Sequence, residues 1–164
     1  MTLAEKAVKI LNENNMTVAT AESCTGGLIA KRITDVSGSS SVFNCGIVSY
    51  SNNIKNRLLG VSNDTLKKYG AVSSETVLEM VNGILEISKD TIGVAVSGIA
   101  GPNSDDTNKP VGLIYLAVSN GEITKTKCLQ NNFVDNIREN NRNKTADTAF
   151  EMIIDLVGEI IEKR

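Results

Sequence analysis

Leu3, Ala7, Val8, Ile10 and Leu11 recur at helical spacing before the polar stretch Asn12–Asn15, so the chain is expected to open with an amphipathic helix that stops at the asparagines. TVATAE, residues 17–22, then reads as a strand. From Cys24 to Val36 the helical period returns through Leu28, Ile29 and Ile33, after a start marked by Ser23, Thr25 and the Gly26-Gly27 pair, which makes a strand–loop–helix unit. Val42–Tyr50 is rich in β-formers and Asn53–Leu59 reads as a short helix. Thr76, Val77, Met80, Val81, Ile84 and Leu85 predict a further helix capped by Ser73 or Ser74. Three β-like runs follow, TIGVAVSG, VGLIYLAVS and EITKTKCL, the last two separated by Asn120-Gly121, a hairpin signal. GPNSDDTNKP, between the first two runs, holds both prolines of the chain and reads as a surface loop. A long helix is expected from about Phe133 to Glu162. The order αβαβααβββα predicts the α/β class: a single-domain α/β/α layered sandwich with a mixed sheet, spanning 1–164.

Composition narrows the function classes. With a net charge of −2 and a pI near 5.2, the chain lacks the basic excess expected of a nucleic-acid binder, and a small polar substrate fits better. No apolar run approaches bilayer length, so no membrane role is expected. Cys24, Cys45 and Cys128 are odd in number and show no CxxC spacing, and MTLAEKAVKI lacks the apolar core of a signal peptide, which together predict a cytoplasmic, reduced protein whose cysteines are small buried hydrophobes.

The absence of histidine excludes Ser-His-Asp and Cys-His catalysis and histidine-rich metal sites, so any activated nucleophile must draw its base from Lys, Tyr or a carboxylate. Hydroxyls and glycines concentrate in AESCTGG (21–27), GSSSVFNCGIVSYSNNIK (38–55) and VSGIAGP (96–102). The first block puts Ser23, Thr25, Gly26 and Gly27 where a strand turns into a helix, a place suited to a phosphate, a carboxylate or an oxyanion. It matches neither the P-loop nor GxGxxG. In the second block Tyr50 and Lys55 follow Ser39, Ser40 and Ser41; a lysine that is to act as a base must have its pKa lowered by about 3 units, roughly 4 kcal/mol, through desolvation or a neighbouring cation. Ser97, Gly98 and Gly101 end an apolar strand and are expected to share a crevice with the first block. Arg138 and Arg142, four apart on the last helix, present two guanidiniums suited to a phosphate.

In this order, TVATAESCTGG, ITDVSGSSSVFNCGIVSYSNNIK, GAVSSETVLEM, VSGIAGP and KPVGLIYLAV resemble the CinA C-terminal domain family, which includes stand-alone nicotinamide mononucleotide deamidases; the resemblance runs from about residue 16 to 118 and continues more loosely through Arg138 and Arg142. It implies hydrolysis of the carboxamide of nicotinamide mononucleotide to nicotinate mononucleotide and ammonia, with no metal and no organic cofactor. By this resemblance Ser40 is the nucleophile and Tyr50 and Lys55 are the proton-transfer pair, while Ser23, Thr25, Gly26, Gly27, Ser97, Gly98, Arg138 and Arg142 form the nucleotide pocket. The strand-to-helix turn favours Ser23 as nucleophile instead, and the two assignments stand side by side. A homo-oligomer is implied by the resemblance alone. Two other readings are a non-catalytic nucleotide-binding or competence-associated module and an amidase for another carboxamide. The chain departs from the family at Ser97, where some members carry Thr, and around Asn131–Asn136, which lacks an expected glycine. Larger relatives carry an additional N-terminal domain, whose functions are not carried over.

Overall fold

A computed structural model describes residues 1–164. Its elements are α1 (Leu3–Glu13), β1 (Val18–Glu22), α2 (Leu28–Thr34), a 3-10 turn at Ser39–Ser41, β2 (Phe43–Val48), α3 (Asn52–Leu59), α4 (Asn63–Tyr69), α5 (Ser74–Ser88), β3 (Ile92–Gly98), β4 (Leu113–Ser119), β5 (Thr124–Gln130) and α6 (Ile137–Glu162). The strands form one mixed sheet in the order β2-β1-β3-β4-β5. The pairs β1–β2 and β1–β3 are parallel, whereas β3–β4 and β4–β5 are antiparallel. No helix is long and apolar enough to cross a membrane.

Chain direction explains the layering. The β1-to-β2 connection steps outward across the sheet and the β2-to-β3 connection steps back over β1, so right-handed crossovers must place α2 on one face and α3–α5 on the other. The two faces differ in side-chain size. Val18, Ile92, Val94, Val96, Ile114, Leu116 and Val118 meet α1, α2 and α6, while the opposite face offers Ala19, Ala21, Ala95 and Ala117 to α5. Those small residues let α5 lie close: a Cβ on Gly93 would come within 2.9 Å of the Leu85 side chain. A second close approach seats α3 on α5, where a Cβ on Gly83 would fall 1.9 Å from the Leu59 carbonyl oxygen.

Most expected elements are present, with four differences. α2 begins at Leu28 rather than Cys24, because Gly26 and Gly27 adopt left-handed φ angles of 60° and 97° and keep 24–27 as a turn. α6 begins at Ile137 rather than Phe133, after Asn136 in the left-handed region. α4 was not expected, since its sequence NDTLKKY has Leu66 as its only aliphatic side chain and buries no residue; its signal is the Ser62 cap, which accepts from the Thr65 amide at 3.0 Å. Finally, only Cys24 is buried, Cys45 is half-buried and Cys128 is exposed on the edge strand β5.

Two helical glycines are expected to respond in opposite senses to alanine. Gly83→Ala must push α3 off α5 and lose about 1–3 kcal/mol, whereas Gly158→Ala, whose Cβ meets nothing within 4 Å, gains the helix preference of alanine. That gain is about 0.5–1 kcal/mol. Urea unfolding of the two variants beside the parent measures both.

Candidate active site

β1, β2 and β3 run in the same direction, so the segments that follow them, 23–27, 49–51 and 99–101, leave the sheet at one edge. The chain turns from β1 toward β2 and from β3 toward β4, in opposite directions, which opens a crevice of the kind that holds ligands in α/β sheets. A cavity of about 200 Å³ lies there, lined by Cys24, Tyr50, Gly98–Gly101, Asn103–Asp105 and Arg138.

Lys55 is the central group. The Ser51 hydroxyl caps α3 by accepting from the Ile54 amide at 3.2 Å, and Lys55, one turn on, points inward and is only 1% exposed. Its Nζ donates to Ser49 O at 2.8 Å and lies 3.0 Å from Ser23 Oγ. Removal from water disfavours the ammonium and lowers its pKa to about 8. Ser23 stands immediately after β1, where its amide donates to Val96 O at 3.1 Å and its carbonyl accepts from Gly26 N at 3.0 Å; the residue is 8% exposed. In the turn that follows, the amides of Cys24, Thr25 and Gly27 have no backbone acceptor. Of these, Thr25 is fully buried, whereas Cys24 lines the cavity and Gly27 is partly exposed.

The start of α2 is occupied from within the protein. Glu22, 1% exposed, accepts from the Thr25 hydroxyl at 2.6 Å, from Ile29 N at 2.9 Å and from Ala30 N at 3.0 Å. A carboxylate at this position satisfies amides that the N-cap Gly27 has no side chain to meet. The amides of Ile29 and Ala30 are thereby taken, and the donors of this block that remain free are those of the turn before α2. Thr25 is likewise no direct contact for a ligand: it is fully buried, and its hydroxyl is given to Glu22.

Arg142 and Arg138 reach the edge from α6. Arg142 Nη2 donates to Thr25 O at 2.6 Å, and Gly26 leaves room for it, since a Cβ there would lie 3.2 Å from Nη2. Its Nε is buried without a partner. Arg138 donates through Nη1 to Gly101 O and through Nη2 to the Tyr50 hydroxyl, both at 2.8 Å. A second cavity, of about 420 Å³, is lined by Leu28, Arg138, Glu139, Arg142 and Asn143, so Arg138 borders both spaces.

The structure does not bring Ser40 to Tyr50 and Lys55. Ser40 is exposed in the turn before β2, whereas Tyr50 and Lys55 follow that strand. Six residues of strand, about 20 Å at the usual rise, separate the two ends. Lys55 instead meets Ser23, 32 residues earlier. Tyr50 is 60% exposed and its hydroxyl is held by Arg138, not by Lys55. Ser97 is buried one residue beyond Val96, the register partner of Glu22, and so neighbours Ser23. Gly98 lines the smaller cavity, but its lack of a side chain serves packing, because a Cβ would strike Ile114 at 2.5 Å.

Sequence reasoning missed Glu22 and Asn141. The signal for Glu22 is a lone carboxylate closing a wholly buried strand ahead of a helix with no capping side chain. Asn141, 1% exposed, donates to Ala100 O at 2.9 Å and accepts from Asn131 Nδ2 at 3.0 Å, and nothing in its local sequence marks it. A separate cavity of about 370 Å³ between α1, α2 and α6 holds none of this chemistry; its Arg32 is already bonded to Asp147 and Asn143. No group of three or more Cys, Asp or Glu side chains is placed to hold a metal ion.

Comparison with known proteins agrees with this architecture. The chain is 52% identical over 147 residues to a protein of Acetivibrio thermocellus named as competence-damage inducible, covering 90% of this chain and 35% of that one. It is 44% identical over 151 residues to a protein of Caldanaerobacter subterraneus so named, covering 92% and 36%. The chain therefore spans about a third of the length of these curated relatives. The crystal structure of the competence/damage inducible protein CihA from Agrobacterium tumefaciens superposes with a TM-score of 0.88 at 41% identity, covering 94% of this chain and 93% of that one. A CinA superfamily protein from Klebsiella pneumoniae superposes with a TM-score of 0.91 at 26% identity, covering 96% of each. Residues 1–157 match the family described as the CinA C-terminal domain, and the chain belongs to that family.

Proposed function

We propose that this chain is an amidase that hydrolyses the carboxamide of nicotinamide mononucleotide to nicotinate mononucleotide and ammonia, with Ser23 as nucleophile and Lys55 as its base. The observation that carries the reading is the buried Lys55 amine 3.0 Å from Ser23 Oγ, with a pKa brought down to about 8. At that pKa a useful fraction of the amine is neutral near physiological pH, and a neutral amine can take the hydroxyl proton. The choice of substrate rests on the family resemblance and on Arg138 and Arg142, whose guanidiniums line a cavity next to the crevice and suit a phosphate.

Lys55 accepts the Ser23 proton as Oγ bonds to the carboxamide carbon, and the Cys24 and Gly27 amides are the donors available to the carbonyl oxygen as it becomes an oxyanion. Lys55 then gives its proton to the departing nitrogen. The C–N bond breaks, ammonia leaves, and an ester to Ser23 remains. Water, deprotonated by Lys55, attacks the ester carbon; the Ser23–acyl bond breaks, Ser23 recovers its proton and the acid is released. The exposed Tyr50 ring forms a wall against which a cationic pyridinium can rest. Phosphate contacts distant from the reacting carbon supply binding energy that holds the amide in place.

Ammonia release by the purified protein tests the reading. Ser23→Ala and Lys55→Met are each expected to lower kcat by about a thousandfold or more, while Ser40→Ala keeps the parent value. Retained turnover in Ser23→Ala, or no turnover by folded parent protein, overturns the proposal.

A pH series gives a second test. The Lys55 base form accumulates as pH rises through about 8, so kcat/KM is expected to climb with an inflection there. Stability follows the same proton. Below about pH 8 folded and unfolded chains both carry it; above, the folded chain loses it while the unfolded lysine keeps it up to about 10.5, so stability rises with pH. The buried Cys24 thiol, pushed up from 9.0 to about 12, opposes this at higher pH, because there the unfolded chain loses its thiol proton first. Urea unfolding between pH 8 and 9 is therefore expected to show a gain approaching about 1 kcal/mol, absent in Lys55→Met.

A further inference from the structure

We infer that Lys109 is a positioning residue for the site: its ammonium tethers the 102–110 loop and holds it as a preformed wall of the crevice. Only the kinetic part of the test below rests on the amidase reading.

Asn103, Ser104 and Asp105 line the 200 Å³ cavity together with Tyr50 and Arg138. Yet every residue from Pro102 to Asn108, and Pro110, is exposed, and Lys109 alone in this stretch is partly buried. The one backbone bond that the stretch makes with the rest of the protein is Leu113 N to Pro110 O at 3.2 Å, at its exit. A wall of this kind has almost no packing of its own to set against the entropy of ordering it.

Lys109 supplies what is missing. Its Nζ donates to Tyr69 O and to Val72 O, both at 2.6 Å. Tyr69 ends α4, where carbonyls lack helical partners and a positive charge is favoured. Gly70 leaves the space, since a Cβ there would lie 3.3 Å from Nζ. Val72 is itself buried in a cluster with Ile99 and Leu113, so the anchor point is fixed. Within the loop the restraint passes back toward the wall: the Lys109 amide donates to Thr107 Oγ1 at 3.2 Å, and the Thr107 amide and hydroxyl both donate to Asp105 Oδ1. The loop's other end is held by Arg138 on Gly101 O and Asn141 on Ala100 O.

Without the Lys109 bonds the wall is in place for only a fraction of the time, and apparent affinity falls by that fraction. Ser23 and Lys55 take no part in the tether, so the chemical step is untouched. The test compares Lys109→Met, Lys109→Arg and the exposed neighbour Asn108→Ala, reading KM and kcat for ammonia release from nicotinamide mononucleotide, and cleavage at Asp105 and Asp106 by an aspartate-directed endoproteinase. Lys109→Met is expected to raise KM about tenfold at unchanged kcat and to speed cleavage of the loop, while Lys109→Arg and Asn108→Ala stay near the parent in both. Parent-like KM and cleavage in Lys109→Met overturn the inference, and so does a fall in kcat with KM unchanged. If Lys109→Met does not fold, Lys109→Gln takes its place, and failure of both to fold assigns Lys109 to fold stability and overturns the inference. If the parent releases no ammonia, the amidase reading fails while loop cleavage still decides the tether.

Discussion

A lysine ammonium withdrawn from water is the constraint on which the edge of this sheet depends. Leaving such a charge without partners costs several kcal/mol, so Lys55 requires acceptors in fixed places. It finds them at the ends of two strands, the Ser49 carbonyl beyond β2 and Ser23 Oγ beyond β1. Their separation is set by the parallel register that pairs Glu22 with Val48, and the Ser49 amide continues that register by donating to Glu22 O at 2.8 Å. The helix that carries Lys55 is located in turn by the bare Gly83 surface of α5 beneath Leu59.

Strand alternation then does something economical with charge. Glu22 and Ser23 are adjacent and point to opposite faces, so a buried carboxylate sits on the α2 side and the buried amine on the α3 side of one strand end. Each has its own partners and they do not neutralise each other directly. Because Glu22 satisfies the first amides of α2, the donors left over are those of the turn itself, next to Ser23. The arrangement satisfies the start of α2 from within the protein and leaves the turn before it with unpaired donors.

Much of the fold was legible because periodicity and turn chemistry are local signals. The Asn120-Gly121 hairpin, the largely apolar strands β3 and β4 and the long final helix all declare themselves within short windows. The site was less legible, for a geometric reason. Ser40 is closer to Lys55 in sequence than Ser23 is, but a strand intervenes and carries the chain to the opposite end of the sheet. Parallel pairing makes distant residues neighbours, and only the turn geometry at Ser23 hinted at it. Glu22, Lys109 and Asn141 act on backbone atoms, which carry no sequence signature, across 7, 37 and 41 positions. α4 escaped notice because a short exposed helix has no apolar stripe to announce it.

The contacts that α6 makes with the edge have a consequence for how the chain acquires its site during synthesis. Arg142 meets Thr25 across 117 positions, Arg138 meets Tyr50 across 88, and Arg32 joins Asp147 across 115. A ribosome delivers β1 long before it delivers α6, and loops closed over such separations form late. Until α6 docks, the core face made of Val18, Ile92 and Leu116 is covered by α1 and α2 alone, and the turn after β1 lacks its arginine. The crevice is thus completed only once α6 has emerged, and a chain translated short of that helix carries the Ser23 and Lys55 side chains without the arginines that reach the same end of the sheet.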